Sequence, residues 1–262
     1  MLKNSKSSRW QVATEQPAFQ WTAIAVTVVV SIAVLLWQLE SSLIPAAVDH
    51  IIEEIPPEVF DEIGEEMVND LASSGFAPTA LSAKEQTEVR ALFEELRSDL
   101  GIGERHALHF YEWEREANAL ALPGGHIVVT DALVQRLGMG EPLKAVLLHE
   151  IGHTTHQHVE AAMLRSSLFG LAGLLLIGDV SYLSLAAVSV STALVERSFS
   201  REQELEADAF AAQYFLARDR DPVALIEALQ KLADASEADK HSWLDTHPST
   251  EDRMRLIQEA AL

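Results

Sequence analysis

A chain of 262 residues, 48% of them hydrophobic, is long enough for one sizeable domain and an appendage. Its 40 acidic residues against 19 basic ones give a net charge of −21, and no basic patch stands out, which excludes nucleic acid as a partner on electrostatic grounds. Cysteine is absent, which excludes thiolate metal sites, cysteine nucleophiles and disulfides, so any metal must sit on histidine and carboxylate.

Residues 16–39, QPAFQWTAIAVTVVVSIAVLLWQL, carry no charge. As a helix, 18–39 spans about 33 Å, enough for a bilayer core of about 30 Å. Trp21 and Trp37 stand near its two ends, where interfacial aromatics belong. The stretch is longer than the apolar region of a cleaved signal peptide, and the small-residue pair after it, Ala46 and Ala47, is a weak cleavage site. An uncleaved anchor is the better reading. Lys3, Lys6 and Arg9 precede it and no Lys or Arg follows until Lys84, so the N-terminus stays in the cytoplasm. For a bacterial source the remainder then lies in the periplasm, with the chain a single-pass protein of the inner membrane.

Between Glu40 and Ala83 lie ten acidic residues and no basic one, which reads as a solvated acidic face. Residues 81–100 form an amphipathic helix with Val89, Leu92, Phe93 and Leu96 on one side, Ser82 as its N-cap and Glu85 three later. In the stretch that follows, Pro-Gly-Gly at 123–125 links two short apolar runs, which predicts two strands with a tight connection. Pro142 suits the first turn of a helix whose Leu143, Val146, Leu147 and Ile151 face the core. The apolar run 168–195 contains a single charge, Asp179, and is too long for one ordinary helix and too short for two spans. It reads as two short helices, 168–177 and 180–195, either buried in the core or lying on a membrane. Further helices are expected over about 197–217, from Asp221-Pro222 to about 235, and from near 250.

The chemistry concentrates in LLHEIGHTTHQH, 147–158. His149 and His153 are four apart, so on a helix they share a face and both direct ring nitrogens at one ion. Glu150 is rotated by about 100° and reaches a water on that ion without ligating it. Catalytic zinc takes three protein ligands and leaves a fourth position open, so a third ligand is needed. The metzincin continuation is ruled out, because position 156 is His156 and position 159 is Val159. A later helix offers ELEAD, in which Glu204 suits ligation and Asp208, one turn on, suits an outer bond to a ligand histidine; Glu206 falls on another face. His156 and His158 are either ligands of a second ion or hydrogen-bonding helix residues, and without a nearby carboxylate cluster the second reading is preferred. His50, His106, His109 and His241 read as surface or satisfied core residues.

The segments NALALPGGHIVVTDAL, LLHEIGH, SREQELEADAFA and THPSTEDRM occur in this order from Asn118 onward. In them the chain resembles the membrane-associated gluzincin metalloproteases, which include HtpX-like heat-shock proteases, CAAX prenyl proteases and BepA-like periplasmic proteases. The resemblance implies an α+β, predominantly helical zincin-like domain with a small sheet, behind the N-terminal transmembrane helix. The chain is then divided into a tail (1–17), an anchor (18–39), an acidic membrane-proximal segment (40–80) and a metallopeptidase domain (81–262).

It further implies one Zn2+ held by His149, His153 and Glu204, Glu150 as general base, Asp208 as outer carboxylate and His247 as a donor to the oxyanion. An extended polypeptide substrate would lie along Asn118, Ala119, Leu120, Gly124 and Gly125, and clients would be misfolded or mislocalised envelope proteins. His126, after the two glycines, has no expected role. The alternative is a membrane-tethered chaperone or assembly factor with a latent or structural zinc; a prenyl-protein protease fits less well, those relatives being polytopic.

Overall fold

A computed structural model describes residues 17–114, 116–177, 199–236, 243–247 and 251–260. It divides into two compact units, 1–47 and 48–262. In the first, helix α1 (Pro17–Gln38) exposes its apolar side chains, Trp21 at 70% and Trp37 at 65% among them. Through a π turn at Leu39–Leu43 and helix α2 (Ile44–Glu54) the helical path continues to Glu54. Among the described residues this is the one helix long and apolar enough to cross a membrane.

The second unit begins well before the expected boundary at residue 80. Helix α3 (Pro57–Asp70) opens on a proline suited to a first turn and buries Phe60, Gly64 and Val68, spaced four apart, while Glu58, Glu62, Glu65 and Glu66 stay in solvent. The acidic face is present, but on the outer side of a helix that belongs to the domain. Val68 packs with Leu71, Phe76, Leu120, Leu122 and Val128, so the segment is fastened by apolar burial that its acidic composition masks.

Strand β1 (Ala77–Pro78) then enters the sheet, and helix α4 (Ala83–Leu100) follows with both halves of the predicted capping box formed by Ser82 and Glu85. Strands β2 (Ala107–Glu112), β3 (Ala119–Ala121) and β4 (His126–Thr130) complete a mixed sheet of order β1-β2-β4-β3. The expected pair of strands is β3 and β4, antiparallel, with Leu120 opposite Val128. Gly124 and Gly125 in their connection take φ of +70° and +86°. A Cβ at Gly124 would meet the Asp61 backbone at 2.5 Å, so only glycine admits α3 there.

A short helix α5 (Asp131–Leu137) leads to α6 (Glu141–Thr155), which is buried from Pro142 to Thr154 and forms the centre of the domain. The helix α7 runs His158–Ile177, so the expected short helix 168–177 is the second half of a longer one; its companion, 180–195, lies outside the described residues. Helix α8 (Arg201–Leu216) packs along α6, and α9 (Val223–Ser236) packs on α6 as well. A single turn, α10 (Trp243–Thr246), and α11 (Glu251–Ala260) close the chain. Phe93, Leu96, Ile127, Leu147, Leu148, Phe215, Leu229 and Ile257 meet in the main core. The architecture is the expected one: mostly helical, with a small sheet and one N-terminal apolar helix.

Candidate metal centre

The site is set by where α8 crosses α6. A Cβ at Gly152 would stand 3.0 Å from Ala207 Cα, so the bare backbone of Gly152 lets the two helices approach closely. Helical periodicity places Glu204 and Asp208 on either side of Ala207's turn, both facing the ring pair of α6. Ser200 and Gln203 cap α8 reciprocally, which fixes its first turn, the one that carries Glu204.

His149, His153, Glu204 and His247 bring one ligand atom each within 4.8 Å of one another, and all four are buried. The Nε2 atoms of His149 and His153 are 3.0 Å apart. Glu204 faces both, Oε2 at 3.6 Å from His149 Nε2 and Oε1 at 3.5 Å from His153 Nε2. Asp208 Oδ1 stands 2.9 Å from His149 Nδ1, the side of the ring turned away from the cluster. Glu150 accepts a 2.8 Å bond at Oε1 from the indole N–H of Trp243, and its Oε2 has no partner among the described residues.

His247 points into the same cluster: its Nδ1 donates to Glu204 Oε1 at 2.9 Å, and its Nε2 is 3.5 Å from Glu150 Oε1. Burial works against charge on this imidazole, yet the carboxylates of Glu204 and Glu150 outweigh it and hold its pKa above the ordinary histidine value. For Glu204 burial pushes the carboxyl up, and His247, His153 and His149 together pull it far below the usual range. His153 is held well below by burial itself.

Arg253 is the residue the sequence reading passed over, although it stands inside the THPSTEDRM segment. Fully buried, it grips Asp208 through Nε at 2.6 Å and Nη2 at 2.8 Å. Its Nη1 donates to the His247 carbonyl at 3.0 Å and forms an ion pair with Glu204 Oε2 at 2.7 Å. One planar fork thus ties Glu204 and Asp208 of α8 to the histidine segment. An arginine six residues after His247 in a carboxylate-rich domain was the available signal.

The residues expected to line a substrate are placed together but covered. Strand β3 is the sheet edge, and Asn118, Ala119 and Leu120 are all at most 4% exposed. The Ala117 carbonyl accepts from Trp243 N at 3.0 Å, so the α10 segment occupies backbone at the entrance of the edge strand. Gly124 N–H donates to Glu160 Oε1 at 3.0 Å, pinning the glycine turn to the start of α7; burial raises the Glu160 pKa to about 7. His126 Nδ1 meets His109 Nε2 at 2.9 Å, which gives both residues a structural partner beneath α3, and the His106 ring packs on Gly125. His50 is exposed, and His241 lies outside the described residues.

The model of peptidase family M48 matches residues 83–261, which takes in α4 and every element of the site. The chain belongs to peptidase family M48. Among relatives, it is 30% identical over 149 residues to metalloprotease LoiP of Escherichia coli (strain K12), covering 55% of this chain and 59% of that protein. It is 32% identical over 163 residues to the beta-barrel assembly-enhancing protease of Yersinia pestis, 57% of this chain and 34% of the relative. To the mitochondrial metalloendopeptidase OMA1 of Arabidopsis thaliana it is 29% identical over 144 residues, 55% and 29%. The chain therefore spans less than two thirds of each of these relatives.

Proposed function

We propose that this M48 chain is a zinc-dependent endopeptidase acting on membrane or envelope proteins in quality control, with His149, His153 and Glu204 holding one Zn2+. The observation that carries the reading is the convergence of three buried donors, with separations of 3.0, 3.5 and 3.6 Å. Nitrogen and oxygen ligands at about 2.0–2.2 Å from a tetrahedral zinc are about 3.3–3.6 Å apart, so the donor set fits the ion with shifts of a few tenths of an ångström. Bound there, zinc supplies Lewis acidity toward a peptide carbonyl and acidifies the attacking water.

The remaining steps belong to the chain itself. Glu150, with Oε2 unpartnered among the described residues, accepts the proton of the attacking water and delivers it to the leaving amine. Asp208 fixes the ring of His149, and Arg253 keeps that carboxylate charged and in place. An extended polypeptide lies along Asn118, Ala119 and Leu120 up to the Gly124-Gly125 turn, competing for the backbone that Trp243 now occupies. His247 serves the oxyanion once it leaves Glu204. The helix over 18–39 anchors the chain in a bacterial inner membrane with the domain in the periplasm, as the flanking charges predict. Zinc content of the purified chain tests the ligand set: one ion per wild-type chain and a large loss in Glu204→Ala are expected, and unchanged stoichiometry would sink the assignment.

A second reading, a latent site, is favoured by the α10 segment. Trp243 bonds Glu150 and His247 bonds Glu204 at once, so the general base and the third ligand are both engaged from within the chain. Trp243→Phe removes the indole N–H and part of the ring while keeping an aromatic side chain against His247. If the segment restrains the enzyme, this variant cleaves an unfolded protein faster at the same zinc content; a rate at or below wild type argues against restraint.

A further inference from the structure

A histidine that ligates zinc through Nε2 carries its proton on Nδ1, and what receives that proton fixes the ring. For His149 the nearest acceptor is Asp208, whose Oδ1 stands 2.9 Å from Nδ1. For His153 it is another imidazole: His158 Nδ1 lies 2.8 Å from His153 Nδ1, with ring centroids 5.0 Å apart and planes at 69°. His158 Nε2 in turn stands 3.0 Å from Glu206 Oε2. An ionised carboxylate only accepts, so the chain has one consistent direction: His158 donates from Nε2 to Glu206, which leaves its Nδ1 lone pair free to accept from His153. His153 Nε2 is then unprotonated and faces Glu204 and His149.

The backbone is arranged to make this contact. On an uninterrupted helix, positions five apart are turned about 140° from each other and their rings do not meet. Here α6 ends at Thr155, and Gln157 takes a φ of +53°, a conformation costly for a residue with a side chain. That turn brings His158, at the head of α7, back onto His153, where it is 4% exposed. Helix α8 then supplies three carboxylates with three destinations: Glu204 toward both rings, Asp208 to His149, and Glu206, from its other side, to His158.

We propose that His158 and Glu206 are positioning residues of the metal centre, a two-residue relay that fixes the tautomer and orientation of His153. The inference rests on the reading of His153 as a zinc ligand. It is tested with the full-length, zinc-loaded chain in competition with a chelator of known affinity, and by the visible spectrum of the Co2+-substituted protein.

His158→Leu, which cannot accept, is expected to weaken zinc binding by about 10- to 100-fold, the range for loss of an outer partner, and to shift the Co2+ bands. His158→Asn offers Oδ1 near the place of Nδ1 and should recover most of the affinity. Glu206 is 58% exposed in its side chain, so Glu206→Leu leaves the fold intact and should give a smaller loss with the same direction of spectral shift, while Glu206→Gln stays near wild type. Wild-type affinity and spectrum in His158→Leu, or an Asn variant no better than Leu, would overturn the proposal. If His158→Leu fails to fold, an unchanged affinity and spectrum in Glu206→Leu overturns it instead. His153→Ala separates the two levels: zinc retained there contradicts the ligand reading, whereas zinc lost there and kept in His158→Leu contradicts only the relay.

Discussion

Gly64→Ala reverses sign according to whether α3 is packed on the glycine turn. In an exposed helix this substitution stabilises by about 1 kcal/mol, because glycine is the poorer helix former. At Gly64 the new Cβ would stand 2.1 Å from the Pro123 carbonyl oxygen and 2.6 Å from His126 Cδ2. Relaxed carbon–oxygen contacts run to about 3.3 Å, so α3 must retreat by roughly 1 Å from a backbone atom that has no rotamer to escape into. A gap of that size forfeits a quarter to a half of the dispersion energy of the facing atoms, and overpacked sites typically lose 1–3 kcal/mol.

With the clash at the upper end of that range and the helix gain subtracted, a net loss of about 2 kcal/mol is expected. For a domain of this size that lowers the melting temperature by about 4–8 °C. Thermal unfolding of the detergent-solubilised chain, followed by circular dichroism, reads it directly. A melting temperature raised by about 2–4 °C would show that α3 is not seated on the turn and refute the placement of 48–80 within the domain.

Two further perturbations follow from the buried charges. The Glu160 pKa is raised from 4.5 to about 7 by burial, so the folded state holds a proton that the unfolded chain releases, and stability falls as pH rises from about 4.5 through about 7. The penalty above pH 7 is about 3 kcal/mol, so Glu160→Gln, which keeps an acceptor for Gly124, should flatten the stability–pH curve and exceed wild type at pH 8; parallel curves would contradict this. Arg253→Met leaves Asp208 and Glu204 buried without their cation, at a cost of about 3–5 kcal/mol, and Arg253→Lys should restore little, because a point charge cannot replace the fork on Asp208. Chemical denaturation checks both, and a lysine variant as stable as wild type would contradict the bidentate account.

What was legible in the sequence was local and periodic. The capping box at Ser82 and Glu85, the i, i+4 pair of His149 and His153, and the same spacing of Glu204 and Asp208 needed only helical geometry. Features that depend on a change of chain direction were not legible. His158 is the hydrogen-bonding residue expected, but its partner was not legible: a continuing helix turns it away from His153, and the left-handed Gln157 that returns it leaves no compositional trace. The burying face of α3 was hidden among acids, with a glycine at its centre that reads as a weakness until the Pro123 carbonyl is found against it. Arg253 was signalled only by its place six residues after His247; its partners needed knowledge of which distant carboxylates it faces. The start of α8 was set at about 197, although Ser200 with Gln203 three later was a usable capping signal for Arg201.

In the proposed reaction Glu150 moves the proton for a peptide hydrolysis that the His149, His153 and Glu204 set makes possible. The most direct measurement is cleavage of casein by the purified full-length chain, wild type against Glu150→Gln, with zinc content determined on the same samples. One zinc per chain is expected in both, with cleavage by the wild type that is lost on chelation and regained with added zinc, and a loss of at least about 100-fold in Glu150→Gln. Cleavage by Glu150→Gln at the wild-type rate, with zinc still bound, would contradict it.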